Sequence, residues 1–378
     1  MIFLDNASTT KICKEALDVY NTASNELFYN PSALYKKGSD IHQAISRSKE
    51  RILKYLGAGK YDNIIFTSGA TESNNMAIRS FLKPSKKALF GITEHPSVYN
   101  VAKYFKDNGY NIDFVNVTSN GDIDLDDFKN KLDGSVNFVS IMHVNNETGA
   151  INPIKDLVQL SKKANKNIIF HCDGVQAFGK IDVDLEDLGV DLYTISSHKI
   201  YGPKGIGALY IKKGINIAPL MFGGGQENNL RSGTENTPAI FAFEKACEVI
   251  IDKCDRYKIS INELNNYTKE QLQNLPFDIV INSKGNTSPY IISFSIANLR
   301  AETLLHMLEE KNILVGNGSA CSSKKSGNRI LDSMGVEAKY IEGSLRISFN
   351  LDTTKEDIDL FIHELEITIK EYKNNTNR

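Results

Sequence analysis

The stretch DLYTISSHKIYGPKGIGALYI (Asp191–Ile211) sets a lysine, Lys199, directly after a short apolar run and behind Ser196, Ser197 and His198. An ammonium is costly to desolvate unless it is paired or has reacted. Lysine is also the side chain that forms Schiff bases with carbonyl compounds. The hydroxyl and imidazole groups beside it suit a phosphate. Taken alone, the same stretch also reads as a turn lysine whose amine reaches solvent.

Other apolar runs end in the same way. In IIFTSGATESNN (Ile64–Asn75), Ser68, Gly69, Ala70 and Thr71 precede a predicted helix. Free N–H groups and the helix dipole there favour an anion by roughly 0.3–1 kcal/mol, although an ordinary helix cap uses the same residues. NIIFHCDGVQAFGK brings Asp173 and Gln176 to a second such end, TEHPSV brings His95 to a third, and HVNNETG brings Asn145 and Asn146 to a fourth. An aspartate so placed could hold a ring nitrogen protonated and keep a pyridine ring electron-withdrawing. Adjacent His171, Cys172 and Asp173 alternate between the faces of a strand, so they argue against a metal site, and no metal is expected. GAGK at Gly57–Lys60 lacks the spacing and the following Ser/Thr of a phosphate-binding P-loop.

Cys321 lies in GNGSACSSKKSGN, a composition that favours a mobile exposed loop. A free thiol with a pKa of about 8.5 is mostly protonated at neutral pH, and Lys324 and Lys325 would lower that value. Cys321 is therefore a candidate nucleophile. Cys247 and Cys254, seven apart in a helical run, read as core fillers, and Cys13 and Cys172 sit in no motif. In SLRISF, Arg346 projects from a predicted strand, where a guanidinium serves equally as a rigid clamp for a carboxylate or as half of a salt bridge.

Positioning these groups requires the apolar runs Ile64–Thr67, Ala88–Thr93, Ile112–Val117, Val136–Val144, Ile168–Cys172, Leu192–Ser196 and Ile206–Ile211 to be strands. Their near-continuous apolar character fits strands covered on both faces, and helical stretches separate them. The expected fold is α/β: a large domain with a seven-stranded, mostly parallel sheet wrapped by helices, plus a smaller α+β domain. The large domain is expected at residues 15–260. Residues 1–14 and 261–378 are expected to form the small one, which carries the cysteine loop. A glycine-rich loop, GGGQENNLRSGTEN (Gly223–Asn236), precedes a long helical run to about Leu275.

With 378 residues, 41% of them hydrophobic, the chain can bury a large core, and its net charge of −2 makes nucleic acid or a membrane surface an unexpected direct partner. No apolar run of about 18 residues or signal-like N-terminus is visible, so a soluble, cytoplasmic protein is expected. Five scattered cysteines without CxxC spacing suit a reducing compartment.

TSGATES, SIMHVNNETG, SSHKIYGPKGIGALY, GGGQENNLRSGTEN and GSACSS together resemble the cysteine desulfurases, pyridoxal-phosphate enzymes of the class V aminotransferase family, fold type I. The resemblance runs from LDNASTT to SLRISF, and GSACSS is similar to the branch with a short Ser-Ala-Cys loop rather than an Arg-x-Gly-His-x-Cys pattern. It implies that Lys199 holds pyridoxal 5'-phosphate as an imine, Asp173 faces the pyridine nitrogen, Gln176 bonds the ring hydroxyl, and His95 stacks on the ring and helps proton transfer. Ala70, Thr71, Ser196 and His198 would hold the phosphate, with Thr234 reaching the phosphate of a neighbouring subunit in a homodimer. Asn146 would contact cofactor and substrate, Arg346 would clamp the substrate carboxylate, and Cys321 would take the sulfur of L-cysteine as a persulfide, leaving L-alanine. The sulfur would pass to an acceptor protein, an iron–sulfur scaffold or a tRNA-thiolation enzyme. The absence of a longer tail past Arg378 keeps tRNA thiolation in view. An aminotransferase or selenocysteine lyase on the same fold is the alternative implied. Ser8, Cys172 and Gly174 stand where relatives commonly carry alanine, valine and alanine.

Overall fold

The computed structural model describes residues 1–318 and 328–376. Cys321, Lys324 and Lys325 lie outside them. The chain opens with β1 (Ile2–Leu4) and then builds one sheet from β2 (Asn63–Thr67), β3 (Lys87–Gly91), β4 (Ile112–Val115), β5 (Val136–Ser140), β6 (Ile169–Asp173), β7 (Leu192–Ser196) and β8 (Gly207–Ile211). Their order is β2-β8-β7-β6-β5-β3-β4. β8 runs antiparallel to β2 and β7, and every other pair is parallel. Six of the seven strands therefore deliver their carboxyl ends to one edge, the edge at which open α/β sheets bind ligands. Helices cover both faces, which is why Ile64 and Ile65, pointing to opposite sides of β2, are both fully buried.

The expected strand Val136–Val144 stops at Ser140. Glu94 Oε1 accepts the Met142 N–H at 2.7 Å, so a side chain takes a donor that a continuing ladder would need. His143 N–H still reaches the Asp173 carbonyl at 2.9 Å. The chain thus leaves β3 while staying beside β6, and this carries Asn145 and Asn146 over the sheet edge.

The remaining strands, β9 (Ile279–Ile281), β10 (Ile291–Ile296), β11 (Ile313–Asn317) and β12 (Ser344–Ser348), join β1 in a five-stranded sheet ordered β1-β11-β12-β10-β9. β1 pairs parallel with β11, so the first residues of the chain belong to a layer otherwise built from its last third. Two cores result. The helix Thr237–Asn274 spans both, with Phe243 and Ile250 in the first and Ile261 and Leu272 in the second. The domain boundary expected at residue 260 falls inside this helix. No described helix is long and apolar enough to cross a membrane.

Gly174 has a steric reason to lack a side chain. A Cβ built there falls 2.0 Å from ring carbons of Tyr193, whose hydroxyl lies 2.9 Å from His143 Nδ1. Tyr193 is fully buried and cannot swing away. Gly174→Ala should lower stability by about 1–3 kcal/mol through overpacking, read as the midpoint of urea unfolding. A neutral effect would mean that the Tyr193 ring repacks freely.

Candidate active site

A cavity of about 800 Å³ opens at the carboxyl edge of the large sheet and is closed from the other side by β11 and β12. Ala70, Thr71, His95, Asn146, Asp173, Gln176, Ser196, His198, Lys199 and Arg346 all line it, although they span 277 positions of sequence numbering from 70 to 346. Thr234 is exposed and does not line this cavity.

At one end, β2 turns into the helix Ala70–Phe81 through Gly69, whose φ of 155° and ψ of 176° belong to a region essentially reserved for glycine. Gly207 of β8 passes so close that a Cβ on it would lie 2.9 Å from Gly69 Cα. The Gly69 carbonyl takes the Ser73 N–H at 3.2 Å, and the amides of Ala70 and Thr71, in the helix's first turn, have no carbonyl to reach within it. Gly207 thus lets the two backbones approach, and Gly69, where a Cβ would meet nothing within 4 Å, leaves room for an anion next to those donors. Glu72, in the same turn, is paired with Arg231 at 2.8 Å. Burial works to raise its pKa, yet the bonds from Arg231 and the Ser68 N–H prevail and hold it below the usual value.

Lys199 ends the turn after β7, and its Nζ donates to the carbonyls of Ala7 (2.6 Å) and Ser8 (2.7 Å). The same N-terminal loop braces the turn itself. Tyr201 sits at φ 66°, the left-handed region, and its N–H donates to Thr10 Oγ1 at 2.8 Å, while Thr10 N–H donates to the His198 carbonyl at 2.9 Å. His198 Nδ1 lies 3.1 Å from Thr9 Oγ1. Burial, with Lys199, Lys204 and Lys180 nearby, pushes His198 down to about 4, so at neutral pH the ring is uncharged.

Asp173 is buried and held as an acceptor: Asn74 Nδ2 donates to Oδ2 at 2.8 Å and the Val175 N–H to Oδ1 at 3.0 Å. Asn74 Nδ2 also donates to Ser97 Oγ at 2.9 Å, and Ser97 Oγ lies 2.8 Å from His95 Nδ1. His95 caps the helix Pro96–Asp107, its Nδ1 accepting the Ser97 N–H. An Nδ1 that accepts carries no proton, so the neutral ring bears its hydrogen on Nε2. Burial lowers the His95 pKa, opposed by Asp173 and aided by Lys199, Arg329 and Arg346.

Arg346 reaches the cavity from β12, nearly buried. Its NH2 donates to Asp5 Oδ1 and Ser8 Oγ, both at 2.7 Å, and its NH1 donates to the Asn146 carbonyl at 2.8 Å. Of the two sequence readings of this residue, the salt bridge is the one visible. A salt bridge is formed, and Nε is buried without a partner among the described residues. Gly316 is required beside the pair, since a Cβ there would fall 2.6 Å from Asp5 Oδ1. Asn146 Oδ1 is another buried atom without a partner on this wall.

Sequence reasoning missed Asp5, Ser8, Asn74, Ser97, Glu94 and Glu147. All six lie inside the motif segments, Glu147 in NNETG and Glu94 and Ser97 in TEHPSV, but none stands out there as a site residue. Glu147 lines the cavity, and burial raises it to about 7 against the opposing pull of Arg346. The His171 ring nitrogens lie 2.8 Å from Ser140 Oγ and 3.1 Å from Thr194 Oγ1, inside the sheet. Burial pushes the Cys172 and Cys247 thiols well up and the Cys13 thiol up as well, which leaves all three poor nucleophiles.

A family model described as aminotransferase class-V matches residues 2–361. Among curated relatives, the cysteine desulfurase IscS of Dictyoglomus turgidum is 39% identical, covering 98% of this chain and 95% of its own. Among solved structures, a NifS-like protein superposes with a TM-score of 0.91 at 33% identity, covering 98% of this chain and 99% of its own. A structure described as SspA in complex with cysteine gives 0.79 at 28% identity, covering 92% and 99%.

The raised Glu147 gives the folded state a pH signature. Its native pKa of about 7 lies above the ordinary glutamate value of 4.5, so the protonated form contributes stability that is complete below about pH 4.5 and lost as pH rises through about 7. Relative to Glu147→Gln, the wild type should lose up to about 3 kcal/mol between pH 5 and 8, measured by urea unfolding. Parallel pH curves for the two proteins would contradict a protonated carboxyl at this site.

Proposed function

This chain belongs to the class V aminotransferase family and acts as a cysteine desulfurase, and we propose that it converts L-cysteine to L-alanine with the sulfur captured as a persulfide on Cys321. The observation that supports this reading best is the convergence of Lys199, Asp173 and Arg346 on one cavity. Enzymes of the family depend on pyridoxal phosphate, and the wall fits that group: amides and a left-open cradle at Gly69 and Gly207 for the phosphate, and a buried aspartate held as an acceptor for a ring N–H.

Ala70, Thr71, Ser196 and His198 would hold the phosphate, Asp173 the ring nitrogen, Gln176 the ring hydroxyl and His95 a ring face, with Lys199 as the covalent attachment. When bound, the ring supplies an electron sink for the pair left as the substrate's Cα–H bond breaks. Arg346 would hold the substrate carboxylate, beside Asn146, and so orient the Cα hydrogen. The Lys199 amine would carry that proton. Its hold on the Ala7 and Ser8 carbonyls keeps the amine inside the cavity. The Cys321 thiolate would attack the substrate sulfur, forming an S–S bond as the C–S bond breaks. The carbon takes the electron pair, is protonated and leaves in alanine.

Cys321 is four residues beyond Asn317, which lines the cavity, and four extended residues reach at most about 14 Å. The thiol can therefore be brought to the substrate by the chain that carries it. We place the enzyme in the cytoplasm as a homodimer, in which the exposed Thr234 would serve the partner's phosphate site. The persulfide would go to an acceptor protein, an iron–sulfur scaffold or a tRNA-thiolation enzyme.

Cys321→Ala should keep the yellow colour of bound cofactor while sulfide release from cysteine falls by at least a hundredfold, measured with a reducing thiol present. Undiminished desulfuration in the coloured variant would sink the persulfide step.

A further inference from the structure

Behind the cavity wall, Lys180 Nζ donates to Gln176 Oε1 at 2.5 Å, and Gln176 Nε2 donates to the Ala7 carbonyl at 2.8 Å. A glutamine amide has two ends of similar size and opposite polarity, and its partners decide which way it faces. An ammonium donates and cannot accept, so it can meet only Oε1. A carbonyl accepts and cannot donate, so it can meet only Nε2. The two constraints agree, and together they leave one Nε2 hydrogen for the cavity that Gln176 lines.

Lys180 is an odd residue to keep for stability alone. Lys180 is half-buried, and its Nζ partner is a neutral amide rather than a carboxylate, which compensates a partly desolvated ammonium poorly. Burial and the charges of Lys199 and Arg346 push it down to about 7. An anion entering beside Lys199 and Arg346 offsets both charges and so favours the donor-only ammonium.

We infer that Lys180 is a positioning residue: it locks the Gln176 amide with Nε2 toward the cavity, so that the wall offers a hydrogen to an anionic ring oxygen and withholds an acceptor from it. The inference rests on the reading of Gln176 as the partner of the ring hydroxyl. Without Lys180, the Ala7 carbonyl alone orients the amide.

The test is a double-mutant cycle on the full chain, reading equilibrium affinity for added pyridoxal phosphate after the cofactor has been stripped, with thermal unfolding followed alongside. Gln176→Leu should weaken binding about tenfold, the worth of one hydrogen bond, and Lys180→Met by a smaller factor of about threefold, because the Ala7 carbonyl still orients the amide. The double variant should bind no more weakly than Gln176→Leu, because Lys180 has nothing left to orient. Lys180→Arg, also donor-only, should restore most of the affinity. If Lys180→Met does not fold, Lys180→Gln replaces it in the cycle with the same expected non-additivity. Losses that multiply in the double variant, or wild-type affinity in Lys180→Met, would overturn the inference while leaving Gln176 in place. Wild-type affinity in Gln176→Leu would overturn the role of Gln176 itself, and the inference with it.

Discussion

Two carbonyl oxygens, those of Ala7 and Ser8, hold the Lys199 amine inside the cavity, and the rest of the site is arranged around that grip. An amine on a four-carbon stem samples many rotamers, and fixing it costs up to about 2 kcal/mol of side-chain entropy. Catalysis at a single carbon requires it to be fixed. The grip exists because β1 pairs with β11, which draws residues 5–10 across the mouth of the large sheet. From there the same six residues also bond Arg346, Gln176, His198 and Tyr201. The N-terminal loop is thus a common frame for Lys199 and Arg346.

Electrostatics follow from that frame. Lys180, Lys199 and Arg346 lie close enough to influence one another, which suits a dianionic phosphate and a carboxylate arriving together. Asp173 accepts from the amide of Asn74 and the N–H of Val175, which fix the orientation of its carboxyl group. Asp5 gives Arg346 an ion pair at rest. The positive groups are therefore held in place without being fully neutralised.

Much of this could be read from the chain. The seven apolar runs became the seven strands, because strands buried on both faces need continuous apolar sequence, and the polar residues at their ends gave nearly every cavity-lining side chain that was expected. Boundaries failed where a side chain replaced the ladder, as Glu94 does at Met142. The missed residues share a physical cause. Asp5 and Arg346 are separated by 341 positions, and Asn74 and Asp173 by 99, so no local spacing marks them. Ser8 stood out as a departure but gave no sign that its hydroxyl meets Arg346. Gly174 was another departure, explained only once Tyr193 was seen to fill the space.

The central claim is that Lys199, of all the lysines near this cavity, carries the cofactor. Borohydride reduction of the native protein with pyridoxal phosphate fixes an imine as a stable amine, and peptide mass mapping then locates it. The label should fall on the peptide bearing Lys199, in about one copy per chain. Label on Lys180 or Lys204 instead, or none at all, would contradict the account.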